Sequence, residues 1–191
     1  VTWNVTEEER KAMDKAGKYT VTGTAGGMEA KAFITVTEFN YLVNDSFETG
    51  DLTGWKVTEY GKADQLYVED KATDSLTGSW HMHFWSAATD SVEFTLEQPV
   101  KITDSGNYKF SISIMGGDGG VTEIYAYVKV NGQIVAKADT TITVYNEWHT
   151  ANIQEIEYTE GDSIVVGLYV KCAGPNAWGK IDDALLNSVK E

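Results

Sequence analysis

The sequence is poor in cysteine, proline and long apolar runs, the features that would cross-link a protein, interrupt its strands or anchor it in a membrane. Cys172 is the one cysteine, which excludes an intrachain disulfide but leaves the compartment open, because exported proteins can also lack disulfides. Only 2 prolines occur, and neither interrupts the core of a predicted strand. No apolar run approaches the ~18 residues of a membrane-spanning helix, so we expect no membrane partner.

Basic residues are also scarce. Lys and Arg number 15 against 29 Asp and Glu, which gives a net charge of −14. A surface of this sign repels phosphate backbones, and no basic cluster offsets it, so nucleic acid is a poor partner. A neutral polysaccharide meets no such repulsion. The 191 residues, 42% of them hydrophobic, are enough to bury a sizeable core.

Short alternating runs of β-branched and aromatic residues predict strands in nearly every segment, so the predicted fold class is all-β. A turn at Gly26-Gly27 joins the first two strands, and Asn131-Gly132 is the strongest hairpin signal. The predicted strands cover 19–24, 30–36, 80–85, 92–96, 108–115, 124–130, 134–138, 153–158, 164–171 and 180–185.

One helix is predicted near the start of the chain. Thr6 to Glu9 has the pattern of a capping box, and Gly17 is a suitable terminator. The alternative for this segment is an ordered acidic loop.

A domain boundary is predicted near residues 37–40, giving domains 1–38 and 39–191. The first has about three strands, too few to close a sandwich. The second has the size of a complete β-sandwich or jelly roll. Because Val1 opens directly on strand-like sequence, we expect the chain to be part of a longer protein.

The acidic turn at 44–55 and the acidic pair Asp182-Asp183 lie near opposite ends of the second domain. Hard cations prefer carboxylate and carbonyl oxygens, so a cation can join these ends. Glu48 and Asp182 are the candidate ligands. The alternative is that Asp45, Glu48 and Asp51 only cap a turn.

The strand 80–85 carries the richest set of candidate binding residues. Since side chains alternate along a strand, Met82 and Phe84 are predicted to be core, while His81, His83 and Trp85 share the other face. An exposed Trp offers a flat platform for a pyranose, and a His beside it can bond a hydroxyl. The alternative for Trp85 is core packing.

Zinc bound by the three histidines is a weaker alternative for this strand. His81, His83 and His149 lack the paired spacing that zinc sites show.

Two loops and one further strand supply other candidates. The glycine-rich turn 115–120 lacks the features of a phosphate loop, but Asp118 can accept hydrogen bonds from sugar hydroxyls; simple turn geometry is the alternative.

Trp178, in a loop between glycines, is predicted to bind ligand instead of packing. Tyr125 shares a strand face with Tyr127 and is predicted to border the cleft. Trp3, Trp55 and Trp148 are predicted to be core residues.

No pair of carboxylates stands out at a spacing that argues for a glycosidase, which needs two of them across a cleft. The residues therefore favour a binding module over an enzyme.

The first segment resembles the C-terminal half of a bacterial immunoglobulin-like repeat of group 4. The resemblance rests on Val1-Thr2-Trp3-Asn4, the run from Ala16 to Thr24 and the run from Ala32 to Val36. Such repeats occur in secreted or wall-attached bacterial proteins, which implies an extracellular location.

The second segment resembles the family 61 carbohydrate-binding modules, which are attached to endo-β-1,4-galactanases. The matching pieces appear in the family's order: 44–55, His83-Phe84-Trp85-Ser86, 94–98, Gly116-Gly117-Asp118, 124–132, 169–173 and 177–183. The resemblance implies a monomeric, non-catalytic jelly-roll β-sandwich that binds β-1,4-galactan and is covalently linked to a catalytic domain.

The resemblance also implies a set of site residues. The ligand-binding candidates are His83, Trp85, Gly117, Asp118, Tyr125, Asn176 and Trp178. Structural calcium is expected on the carboxylates of Glu48 and Asp182 and on carbonyl oxygens at Ser46 and Ser79. Two rivals remain: a module for another neutral glycan, such as xylan or galactose-ended glycans, and a purely structural or adhesive spacer.

Overall fold

The computed structural model describes residues 2–6, 9, 13, 17–36, 39–61, 63–87 and 91–189. The chain separates into two compact units, Val1–Phe39 and Asn40–Glu191. Within the described ranges, no helix is long and apolar enough to cross a membrane.

The smaller unit contains a three-stranded antiparallel sheet in the order β1-β2-β3. Its strands are β1 (Thr2–Trp3), β2 (Gly17–Ala25) and β3 (Met28–Val36). The predicted turn at Gly26-Gly27 is confirmed, with φ of +57° and +84°, a region that favours glycine.

The predicted capping box in the smaller unit is formed. The Thr6 N–H donates to Glu9 Oε2 at 2.8 Å, and the Glu9 N–H donates to Thr6 Oγ1 at 3.1 Å. Most of the predicted helix lies outside the described residues.

The larger unit is a sandwich of two five-stranded antiparallel sheets. One, the β9 sheet, has the order β10-β9-β12-β7-β4; the other, the β13 sheet, has the order β11-β8-β13-β6-β5. Their strands are β4 (Lys56–Glu59), β5 (Gln65–Asp70), β6 (Trp80–Trp85), β7 (Val92–Val100), β8 (Gly106–Gly117), β9 (Val121–Val130), β10 (Gln133–Asp139), β11 (His149–Tyr158), β12 (Ile164–Cys172) and β13 (Trp178–Ser188).

Alternating apolar residues of both sheets form one core between them. Met82, Phe84, Phe94 and Leu96 are all fully buried there. The all-β sandwich predicted from the sequence is confirmed. The other face of each sheet points away from this core, because only every other side chain of a strand points inward.

Two strands and two tryptophans differ from the predictions. β4 and β5 were not predicted. Trp55 is buried as predicted, but the core prediction is wrong for Trp3, which is 43% exposed, and for Trp148, which is half-buried and lies outside the core cluster.

Candidate functional site

The register of the β13 sheet brings three of the predicted ligand residues side by side. Trp178 of β13 is directly opposite Trp85 of β6 on one side and Gly117 of β8 on the other. Because Phe84 points into the core, Trp85 and His83 lie on the outer face, as predicted.

The indole of Trp178 lies close to Gly117 and Asp118. A Cβ at Gly117 would come 3.3 Å from the indole Cζ2, so the glycine leaves the space that the ring needs. The Trp178 Nε1–H donates to Asp118 Oδ2 at 3.2 Å. Tyr145, from the loop before β11, has its ring centroid 6.4 Å from that of Trp178. Together, Trp178 and Tyr145 form an aromatic surface with the Asp118 carboxylate at its edge.

The glycine-rich turn fixes the loop that carries Asn176. The Gly174 N–H donates to the Gly119 carbonyl, and a Cβ at Gly119 would collide with Ala177. Asn176, with φ of +63°, follows in this loop two residues before Trp178. The turn therefore holds Asp118 and the Asn176 loop together at one end of the face.

His83 extends the face along β6 as a neutral side chain. Its Nε2 lies 3.2 Å from Gln65 Oε1, and its ring centroid lies 5.2 Å from that of Tyr67. Burial and the positive charge of Lys180 lower the pKa of His83 to about 4. Uncharged at neutral pH, the ring suits a hydroxyl-rich ligand more than an ionic one.

A buried ammonium group lies beneath this face. Lys180 is 4% exposed, and its Nζ lies 2.8 Å from Glu69 Oε2, 3.0 Å from Asp74 Oδ2 and 3.0 Å from His81 Nε2. Burial alone would raise the pKa of Asp74, but hydrogen bonds from Lys71, Lys180 and Tyr145 hold it well below its usual range. The same ammonium keeps the pKa of Glu69 low against the effect of burial.

Glu69, His81 and His83 are a possible metal-ligand group, since their ligand atoms lie within 4.8 Å of one another. His149, in contrast, lies on β11 and contacts Thr143. The Lys180 ammonium already contacts Glu69 and His81, and burial together with that charge lowers the pKa of His81. A metal ion would have to displace the buried Lys180 ammonium, which is already paired. We therefore interpret Glu69, His81 and His83 as the surroundings of that ammonium and not as metal ligands.

The predicted calcium ligands Asp182 and Glu48 both contact the loop before β6. Asp182 is fully buried and accepts from the N–H groups of Leu76 and Asp183, each at 2.8 Å. Burial raises its pKa to about 7. Among the described residues, no Lys, Arg or His forms an ion pair with it. A buried carboxylate without a counter-ion is costly, and an oxygen-preferring cation would relieve that cost.

Glu48 accepts hydrogen bonds from the N–H groups of Ser79 and Trp80, both at 2.9 Å. Gly78 lies beside this carboxylate with φ of +59°, a region that favours glycine. The Ser79 carbonyl already accepts from the Lys71 N–H at 2.8 Å. A carbonyl oxygen has a second lone pair, so the Ser79 carbonyl can still accept a contact from a hard cation.

Hydrogen bonds already join the two ends of the larger unit. The Ala184 N–H donates to the Asp45 carbonyl, and the Asn40 side chain bonds both Asp45 and the β13 backbone. Asp51 caps its own turn by accepting from the Thr53 N–H. The turn-capping alternative therefore holds for Asp51.

Tyr125 is not at this site, which corrects its predicted placement. It lies on β9 of the opposite sheet, where it pairs with Tyr169 of β12. The sequence placed Tyr125 correctly on a strand face away from Ile124 and Ala126, but it could not tell which of two sheets β9 joins.

Sequence reasoning missed the β5 side of the face and the loop residue Tyr145. Gln65, Tyr67 and Glu69 pair directly with Trp85, His83 and His81. A signal was present, because Leu66 and Val68 alternate with these residues at the period of a strand. Tyr145 lies in an irregular loop, and its neighbours gave no such signal.

Comparison with known proteins finds solved structures that share the β-sandwich fold of this chain. No family model matches the chain, and no match is found among curated proteins. A family 61 carbohydrate-binding module, TmCBM61, in complex with β-1,4-galactotriose is 28% identical over 79% of this chain and 99% of that one, with a TM-score of 0.67.

More distant neighbours share the fold alone. A family 16 carbohydrate-binding module is 16% identical over 79% of this chain and 100% of that one, with a TM-score of 0.55. A Stig cyclase from Fischerella sp. TAU is 12% identical over 78% of this chain and 96% of that one, with a TM-score of 0.61. These distant matches show the fold alone, and the 28% identical neighbour confirms the resemblance to the family 61 carbohydrate-binding modules, which are non-catalytic.

Proposed function

We propose that the larger unit binds β-1,4-galactan through the outer face of the β13 sheet, around Trp85 and Trp178. The observation that carries the proposal is that Trp85, Trp178 and Gly117 lie opposite one another in register, with Asp118 bonded to the Trp178 indole. The similarity to a module solved with β-1,4-galactotriose supports the choice of ligand.

The face offers what a galactose chain needs. Aromatic rings provide apolar platforms for the C–H faces of the sugars, and a few polar groups at their edges can bond hydroxyls. Asp118 accepts hydrogen bonds, Asn176 both donates and accepts, and His83 is neutral. Because hydroxyls exchange bonds with water for bonds with protein, we expect affinities that are micromolar or weaker.

Removing either tryptophan is expected to abolish most of the binding. Trp85→Ala and Trp178→Ala should each weaken the affinity for β-1,4-galactotetraose by about 30-fold or more, since aromatic anchors at the centre of a site carry ~2 kcal/mol or more. Isothermal titration calorimetry measures this directly. Phe33→Ala, which removes an 82% exposed aromatic ring of the smaller unit, is the matched control and should bind like the wild type.

Saturable heat that persists unchanged in both tryptophan variants would place the galactan site elsewhere. No heat from the folded wild-type chain with galactan, but heat with xylan-derived oligosaccharides, would favour the other neutral glycans. Absence of heat with both galactan-derived and xylan-derived oligosaccharides would favour the alternative that the chain is a structural or adhesive spacer.

We also propose that calcium is held by the Glu48 and Asp182 carboxylates, with carbonyl oxygens at Ser46 and Ser79. The fully buried carboxylate of Asp182, which forms no ion pair with any described residue, supports this assignment. The ion would supply the missing positive charge and tie the first turn of the larger unit to its last strand, so its role would be stability and not recognition.

Calcium is expected to raise the melting temperature of the chain. At a free concentration about 100 times its dissociation constant, a ligand of the folded state adds ~2.7 kcal/mol, which corresponds to a rise of about 5–10 °C in a chain of this size. Differential scanning calorimetry with calcium and with EDTA measures the rise. It should vanish in Glu48→Gln and Asp182→Asn and persist in Asp70→Asn, a control at an exposed carboxylate. An equal rise in all four proteins would refute the assignment.

The role in a larger protein follows from binding without catalysis. We propose that the chain belongs to an extracellular bacterial protein, that Val1–Phe39 is part of an immunoglobulin-like repeat, and that the module holds a linked glycoside hydrolase on its substrate. Tethering raises the effective substrate concentration for the catalytic domain.

A further inference from the structure

The outer face of the β9 sheet carries a second cluster of aromatic rings. Four tyrosines, Tyr60, Tyr125, Tyr127 and Tyr169, line a depression of about 220 Å³; we call it the tyrosine face. Glu93, Thr95, Lys129 and Ile134 complete its lining. It lies on the sheet opposite to the one that carries Trp178.

The floor of the tyrosine face is built to a fixed shape. Tyr127 is 2% exposed although it points away from the core, because its ring lies across Gly167, where a Cβ would come 2.7 Å from the ring. Its hydroxyl donates to Glu97 at 2.6 Å. Tyr125 stacks on Tyr169 with ring centroids 5.0 Å apart, and the Lys137 ammonium covers the Tyr125 ring at 3.8 Å.

One aromatic ring stays open to a ligand. Tyr60 follows β4, and its N–H donates to the Glu93 carbonyl at 2.8 Å, which fixes the backbone there. Its side chain is nevertheless 64% exposed. A ring that is anchored through its backbone and exposed at its face provides a stacking surface at low entropic cost.

The two carboxylates at the tyrosine face, Glu93 and Glu97, are neutralised locally. Glu93 pairs with Lys171 at 2.9 Å and accepts from the Tyr169 hydroxyl, while Glu97 pairs with Lys129 and accepts from Tyr127. Each carboxylate is thus matched by one ammonium and one phenol. These paired groups favour neither cations nor anions, and together with the Lys137 ammonium over Tyr125 they present donors and acceptors side by side, which is what a sugar hydroxyl uses.

The size of the depression also selects the ligand. At about 220 Å³ it is smaller than the ~300–1,000 Å³ pockets of drug-sized ligands and suits one or two sugar rings. A protein partner would need roughly 800 Å² of contact on this side, far more than the depression offers.

We propose that the tyrosine face is a second carbohydrate-binding site, which takes a neutral pyranose unit of an oligosaccharide independently of Trp85 and Trp178. Because the two faces point to opposite sides of a sandwich whose sheets are ~10 Å apart, one short oligosaccharide cannot reach both. A polymer or two neighbouring chains can, and the module then gains affinity for polysaccharide through two contacts. The proposal stands on the β9 sheet alone and does not depend on what the Trp178 face binds.

Amide NMR titration of the whole chain tests the proposal, because it separates the two sheets. The probes are β-1,4-galactotriose, cellotriose and xylotriose, each added to millimolar concentration. At least one should cause saturable shifts at amides of β7, β9 and β12 around Tyr127. Tyr60→Ala should weaken this set about tenfold, as expected for the loss of an aromatic contact, and Tyr60→Phe should retain it.

Two controls keep the sites apart. Trp178→Ala should leave the β9-sheet shifts intact, whereas Tyr60→Ala should leave any β13-sheet shifts intact; Phe33→Ala should change neither. Absence of β9-sheet shifts with all three probes would overturn the second site, as would shifts there that Tyr60→Ala leaves unchanged. Failure of the galactan proposal appears separately, as loss of the β13-sheet shifts alone.

Discussion

Replacing Lys180 with Met is expected to lower the free energy of unfolding by about 3–5 kcal/mol, the largest effect of any single substitution considered for this chain. The methionine can fill the space of the lysine stem, but it cannot neutralise the carboxylates that the ammonium now contacts. Asp74, whose side chain is 5% exposed, would keep Lys71 and the hydroxyls of Tyr145 and Thr73, and Glu69 would lose its one ammonium partner among the described residues. Urea unfolding of the wild type and the variant measures the loss.

Lys71→Met is the matched control, because Lys71 pairs with the same carboxylate at 2.9 Å but is 51% exposed. Its removal should lower the free energy of unfolding by less than about 1 kcal/mol, the usual range for exposed ion pairs.

A second readout is how the stability loss of Lys180→Met depends on pH. Without the Lys180 charge, His81 beside Glu69 can take up a proton, so the cost should be smaller near pH 5 than near pH 8. Equal, small costs for both lysine variants would contradict the buried-ammonium assignment.

The sequence predicted the strands that form the core better than those at the margins. β6 was predicted at its observed bounds, because Met82 and Phe84 alternate with polar and aromatic residues. β4 and β5 were missed. β4 has 4 residues, and β5 begins with Gln65 and ends with Glu69 and Asp70, whose charges mask the alternation of Leu66 and Val68. Both strands lie at sheet edges, where half-buried residues weaken the apolar signal.

The candidate site could be predicted residue by residue but not as an arrangement. Side-chain alternation was enough to place His83 and Trp85 on one face, since the period of a strand depends only on local geometry. Whether Trp178 or Tyr125 lies next to Trp85 depends on which strands pair, and that is decided by contacts far apart in sequence. Lys180 illustrates the same limit: its neighbours Glu69 and Asp74 lie more than a hundred positions away in the chain, so its pairing gave no local signal.

The contribution of His83 to the stability of the chain is expected to fall as the pH drops from about 6.5 towards 4, while Asp182, with its raised pKa, contributes in the opposite direction over this range. In the unfolded chain His83 takes up a proton at its ordinary pKa of 6.5, whereas burial and the Lys180 charge lower the pKa in the folded state to about 4. Between these values the unfolded state binds the extra proton at His83, so the His83 contribution to the free energy of unfolding rises with pH. A difference of this size corresponds to about 3 kcal/mol between the two ends of the range.

Urea unfolding at several pH values, compared with His83→Gln, isolates this contribution, because glutamine keeps a polar side chain next to Gln65 but does not titrate. The free energy of unfolding of the wild type minus that of the variant should increase between about pH 4 and 6.5 and level off above that range. Proton NMR of the His83 ring gives the folded-state pKa directly. In Lys180→Met that pKa should move upwards, because the positive charge with the largest effect on His83 is gone while Glu69 remains 3.7 Å from Nδ1. A midpoint near 6.5 in the wild-type chain would mean that His83 is hydrated in solution, and the outer face of the β13 sheet would then carry a positive charge in mild acid.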